Sequence, residues 1–116
     1  MIPAWRGGAV IALWAIAVAA AGGTGALLVR AAKPVTHTII IDAARFQPAR
    51  LSVHVGDTVV WVNKDLIPHT ATARGGRFDS KMLAAGATFR FTAKAKGGTD
   101  YACLYHPTMT GRIVVE

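Results

Sequence analysis

The run Leu51-Ser52-Val53-His54-Val55-Gly56-Asp57-Thr58-Val59-Val60-Trp61-Val62-Asn63 decides the fold. Leu51, Val53 and Val55 alternate with Ser52 and His54, the period-two pattern of a strand with one buried face. Gly56-Asp57 then makes a turn, and the β-branched run from Thr58 to Val62 makes a second strand with Trp61 as a core residue in its middle. The chain beyond Pro34 repeats this grammar. His37–Asp42, Arg50–Val55, Thr58–Asn63, Thr70–Ala73, Thr88–Thr92, Thr99–Cys103 and Arg112–Glu116 read as strands, with Phe89 and Phe91 on one face and Thr88, Arg90 and Thr92 on the other. Gly75-Gly76 and Gly97-Gly98 mark loops, and Gly86 marks a turn. No segment after Pro34 supports a long amphipathic helix. The pattern predicts an all-β domain, a Greek-key sandwich of two packed antiparallel sheets.

The first third of the chain follows other rules. Between Arg6 and Arg30 no residue is charged, so residues 7–29 form an apolar run of 23 residues. A cleaved signal peptide would use Arg6 as its charged start, Ala9 to Val18 as its apolar stretch, and Ala19-Ala20-Ala21 or Val29-Arg30-Ala31 as its small-residue site. A retained anchor is the alternative. The run matches the ~20 residues that cross a bilayer as a helix, although Gly22, Gly23 and Gly25 weaken its last turns. Arg6 on one side and Arg30 and Lys33 on the other do not choose between them. The division is therefore 1–34 as leader, apolar helix and short linker, and 35–116 as one folded domain. Either reading places that domain outside the cytoplasm, in the periplasm or on the outer face of the membrane, with membrane attachment through residues 7–29 if the leader is kept.

The formal charge of the chain is +7, and from residue 31 onward 11 basic residues face 6 acidic ones. The basic residues are scattered singly along alternating strands, which does not make a nucleic-acid stripe. They suit steering toward protein partners with acidic patches, the protein itself acting as a monomer. Export also makes the cysteine count informative, because an oxidising compartment would pair cysteines. Cys103 is alone. It is a spare thiol, an intermolecular link, a nucleophile or a metal ligand, and its neighbours must choose.

Those neighbours are Cys103-Leu104-Tyr105-His106-Pro107-Thr108-Met109, a C-x2-H-x2-M arrangement in one short loop. Thiolate, imidazole and thioether together are soft and borderline donors that suit copper. His69, just after the Trp61–Asn63 strand, supplies a further imidazole if the loops gather at one end of the sandwich. Two His, one Cys and a weak axial Met make the trigonal blue-copper set. Zinc accepts Cys and His but is poorly served by Met. A Cys–His nucleophile lacks a third orienting group, and haem attachment lacks the first cysteine of C-x-x-C-H. His37 and His54 read as solvent-facing strand residues, and Met82 as a loop or core residue near Phe78.

The ordered set Phe46-x-Pro48, Val55-Gly56-Asp57-Thr58-Val59, Trp61-x-Asn63, Pro68-His69-Thr70, Phe78-Asp79-Ser80, Gly86 and Tyr101-x-Cys103-x2-His106-Pro107-x-Met109-x-Gly111 resembles the cupredoxins, and within them the short-loop amicyanin and plastocyanin group. The resemblance implies copper ligands at His69, Cys103, His106 and Met109. It also implies that Asn63 ties the loop of His69 to the loop of Cys103, and that the Thr70 N–H donates toward the Cys103 sulfur. Thr70 stands where many relatives have Asn.

These residues imply an exported one-electron carrier with a single copper cycling between Cu(I) and Cu(II). Pro68 and Pro107, with Leu66 and Ile67, form an apolar rim, and His106 is the exposed edge through which the electron leaves. The alternative is a copper-binding protein for delivery, storage or tolerance, for which a flexible tract of Met or His donors is missing. An enzyme would need a second copper centre, usually built from His-x-His pairs. The chain has four histidines and no such pair.

Overall fold

The structure is a computed structural model and describes residues 32–116, so the apolar run 7–29 and both readings of it lie outside the described residues. Strand β4, Thr58–Asn63, is the axis of the first sheet, with Val59, Trp61 and Asn63 turned fully inward. It lies between β1, Thr36–Asp42, in parallel, and β6, Thr88–Thr92, in antiparallel register. The short strand β2, Arg45–Gln47, closes the other side of β1, giving the order β2-β1-β4-β6. The second sheet runs β3, Arg50–Val53; β8, Thr110–Val115; β7, Gly97–Ala102; β5, Thr72–Ala73. The chain crosses between the sheets repeatedly, and among the described residues only β1–β2 and β7–β8 are neighbours both in sequence and in a sheet.

The core lies between the sheets. Ile39, Ile41, Val59 and Trp61 face Val53, Tyr101, Ile113 and Val115, with Phe46 and Phe78 inserted from the flanks. Trp61 meets Tyr101 edge-on at 5.5 Å and Phe78 at 5.1 Å between ring centres. Each such ring contributes on the order of 3 kcal/mol of apolar burial. Gly111 makes it possible. A Cβ there would lie 2.3 Å from Cζ of Tyr101, so only glycine lets the ring lie across β8. Burial pushes the Tyr101 phenol up to about 12, and it stays neutral under ordinary conditions.

Several expectations are corrected. The sheets are mixed, because β1 with β4 and β3 with β8 are parallel. Crossing from one sheet to the other and back returns the chain in the same direction, which period-two alternation cannot report. Strand β2 is too short for that alternation to mark. Gly97 and Gly98 belong to β7 and pair with Val115 and Val114. They read as a loop because their composition does, yet the Arg112 guanidinium lies where a Gly98 side chain would be. β3 stops at Val53, leaving Val55 exposed, and β5 begins at Thr72 rather than Thr70. Of the two places the sequence allows Met82, it takes the loop, at the surface. His37 is not solvent-facing: its ring is mostly covered and its Nε2 lies 2.9 Å from Oδ2 of Asp57.

Candidate metal centre

Parallel β1 and β4 and antiparallel β6 bring Asp42, Asn63 and Thr88 to one pole of the sandwich, and Ala102 of β7 pairs there with Thr110 of β8. The loops beyond these strand ends carry the predicted residues. The segment after Cys103 folds as two successive turns. The N–H of His106 donates to the Cys103 carbonyl at 3.3 Å, and the N–H of Met109 donates to the His106 carbonyl at 2.8 Å. The Cys103 N–H donates back to the Met109 carbonyl at 3.0 Å and shuts the loop. A four-residue turn spans i to i+3, which is why the donors recur at a spacing of three.

On the facing loop, His69 is held between β4 and the bridge to Leu83, with backbone bonds running both ways at 3.1 and 2.8 Å. His69 and Cys103 are completely buried, and His106 is half-buried. Nδ1 of His69 lies 3.8 Å from the Cys103 Sγ, and Nδ1 of His106 lies 3.7 Å from it. Bonds of about 2.3 Å to sulfur and about 2.0 Å to nitrogen place two ligands of one ion roughly 3.6 Å apart at trigonal or tetrahedral angles. The three donor atoms, all within 4.8 Å of one another, therefore fit a single ion. Met109 is buried at the end of the same loop.

The surrounding shell differs from expectation in one respect. Asn63 does not reach the Cys103 loop. Its Nδ2 donates to the carbonyls of Ile67 and Leu83, both at 2.9 Å, and its Oδ1 accepts the Asp65 N–H, so it shapes the His69 loop from within. Thr70 makes the link instead. Its N–H donates to the Cys103 Sγ at 3.3 Å, as expected, and its Oγ1 accepts the Leu104 N–H at 2.8 Å. A hydroxyl that can both donate and accept does here what an amide side chain would do, with Thr72 Oγ1 3.0 Å away on its other side.

Asp65 is the residue beside this site that the sequence reading missed. Its Oδ2 lies 2.7 Å from Nε2 of His69, and its carboxylate also accepts the N–H groups of Ala43 and Ala44 at 2.7 and 2.9 Å. The Ala44 N–H foremost, with the His69 ring and the Ala43 N–H, holds the carboxyl below its ordinary range against the opposing effect of burial. An ionised carboxylate only accepts, so the ring N–H at Nε2 donates to it, and Nδ1 is the nitrogen that faces Cys103. The spacing Asp65-x3-His69 was the available signal. Leu66, Ile67, Leu104 and Tyr105 are exposed around the rim.

This fold and donor set define a cupredoxin. A family model described as a cupredoxin-like domain matches residues 8–115, and the chain belongs to that family. Within it the chain is amicyanin-like. It is 32% identical to the amicyanin of Paracoccus denitrificans over 121 residues, covering 90% of this chain and 92% of that one. The structure of a Cu(I) form of an amicyanin mutant superposes with a TM-score of 0.67 at 30% identity, over 70% of this chain and 82% of that one. A purple cupredoxin from Nitrosopumilus maritimus gives a TM-score of 0.64 at 30% identity, over 69% and 99%.

Proposed function

We propose that this protein is an exported one-electron carrier in which His69, Cys103 and His106, together with Met109, would hold one copper. The observation that supports it most directly is the convergence of two imidazole Nδ1 atoms on one fully buried thiol that also accepts the Thr70 N–H. When bound, copper supplies the Cu(I)/Cu(II) couple. The chain's own residues do the rest. Asp65 fixes the His69 ring and its tautomer, Thr70 joins the two loops, and the turns after Cys103 set His106 at the surface. Two loops bonded to each other and to the sheets resist rearrangement, which favours a site that changes little between its two charge states.

The copper pole is also where the partner meets the protein in this reading. Leu66, Ile67, Pro68, Leu104, Tyr105 and Pro107 form an exposed apolar collar beside the half-buried His106. Partners are other redox proteins, and the basic surface speeds their association. Export through residues 7–29 leaves 35–116 as the working domain. The test is to load the purified full chain with Cu(II) and record the visible spectrum. An intense thiolate-to-copper band that disappears in Cys103→Ser supports the reading. No band, or one that survives the substitution, overturns it. Rapid copper release to an acceptor would favour delivery over electron transfer.

A further inference from the structure

At the opposite pole and flank, a cavity of about 540 Å³ is lined by Arg77, Arg90, Phe91, Thr92, Lys94 and Ala95. Three of its six lining residues are cations and none is an acid. Among the described residues no carboxylate lies within ion-pair distance of Arg77, Arg90 or Lys94, whereas Lys81 and Arg112 have Asp79 and Asp100. The Arg77 guanidinium lies over Gly97, 3.4 Å from the place a Cβ would take, so the first residue of β7 helps to seat it. Phe91 lines the cavity, and its ring packs against Phe78 at a 45° tilt with the ring centres 4.8 Å apart. Three like charges around one apolar floor repel one another unless an anion joins them.

The cavity opens beside β6, which pairs with β4 on one side and has no partner on the other among the described residues. An edge strand offers free backbone groups to an added strand. Its cationic fringe discourages a second copy of this basic chain, and the same fringe attracts an acidic strand.

We propose that the β6 edge and the Arg77–Arg90–Lys94 cavity form a second docking site, which takes an extended acidic segment of a redox partner protein. It rests on the carrier reading only for the identity of the partner. The site lies away from His106, so a flexible acidic tail seated here holds the partner while the copper pole stays free for electron exchange. Tethering of this kind raises the effective concentration of the partner without a tight contact at the copper.

The test titrates the full chain, loaded with Cu(I), with a decaglutamate peptide while backbone amide NMR shifts are followed. The expected shifts centre on residues 77 and 90–95, fade by about 0.5 M salt, and leave Leu104 to Thr108 unmoved. The double variant R90E/K94E is expected to weaken the peptide by about tenfold or more while retaining the blue band of its Cu(II) form. Shifts centred on the copper pole overturn the proposal, as does unchanged affinity in the variant. A response to phosphatidylglycerol vesicles but not to the peptide assigns the site to a lipid surface and also overturns it. Failure here with the blue band intact leaves the carrier reading standing, and loss of the band in the unmodified chain is a failure of that reading alone.

Discussion

Two carboxylate–histidine units stand at opposite poles of the sandwich, and they are built alike. Asp65 accepts two backbone N–H groups, from Ala43 and Ala44, and the ring of His69. Asp57 accepts two backbone N–H groups, from Val35 and His54, and the ring of His37. The difference lies in what the second ring nitrogen meets. Nδ1 of His69 is buried against Cys103, with His106 beyond, whereas the donor cluster at the metal pole has no counterpart at His37 among the described residues. One local device thus orients a candidate metal ligand at one pole and ties down the segment around Val35 at the other. The loop around the imidazole, and not the carboxylate pair, decides which.

The strongest break in this comparison is Cys103→Ser. It removes the thiolate and is expected to abolish the visible band completely while His37 and Asp57 remain paired, as checked by absorption and by NMR of the His37 ring.

Substituting the two carboxylates separates the units. Asp65→Asn is expected to lower copper affinity on the order of 10- to 100-fold in competition with a chelator, because an outer partner that orients a ligand is worth about that much. Asp57→Asn is expected to leave that affinity unchanged and to lower the Tm instead. The Val35 N–H foremost, then the His37 ring and the His54 N–H, hold the Asp57 carboxyl far below its ordinary value near 3.8. A carboxyl depressed in the folded state stabilises fully above its unfolded value and loses that contribution as the pH falls below it. Thermal melts below about pH 4 should therefore show a decline that Asp57→Asn flattens.

Thr70→Val sharpens the account of the copper pole. The N–H to Cys103 survives, but the Leu104 N–H loses its acceptor, and a part-buried hydrogen bond of this kind contributes roughly 0.5–1.5 kcal/mol. Chemical denaturation of the Cu(I) protein measures it. The smallest effect is expected for His54→Ala, whose ring is 75% exposed and lies 3.9 and 4.0 Å from Asp57 and Glu116. An exposed pair of this kind contributes below about 0.5 kcal/mol. A larger loss would show that the distal unit depends on His54 as well as His37.

Much of this was legible beforehand. Phe89 and Phe91 declared a shared face by alternation, Trp61 declared the core from its place among Val59, Val60 and Val62, and Cys103, His106 and Met109 declared one short loop of candidate donors. Asn63 was misread for a physical reason: an amide beside a loop can bond in either direction, and only the position of the Ile67 and Leu83 carbonyls shows which way it turns. Asp65 was missed because a carboxylate four residues before a histidine is common on any surface. Its meaning comes from the Ala43 and Ala44 N–H groups, more than twenty residues away, which hold it in place.

By itself the sequence determined the donor chemistry and the β class, because ligand softness, side-chain period and turn residues are local properties of the chain. Tertiary structure alone decided strand direction, the membership of Gly97 and Gly98 in a strand, the orientation of the His69 ring, and the placing of three cations around Phe91. Each of these depends on which distant backbone group or charge arrives within about 3–4 Å, and neither spacing nor composition encodes that.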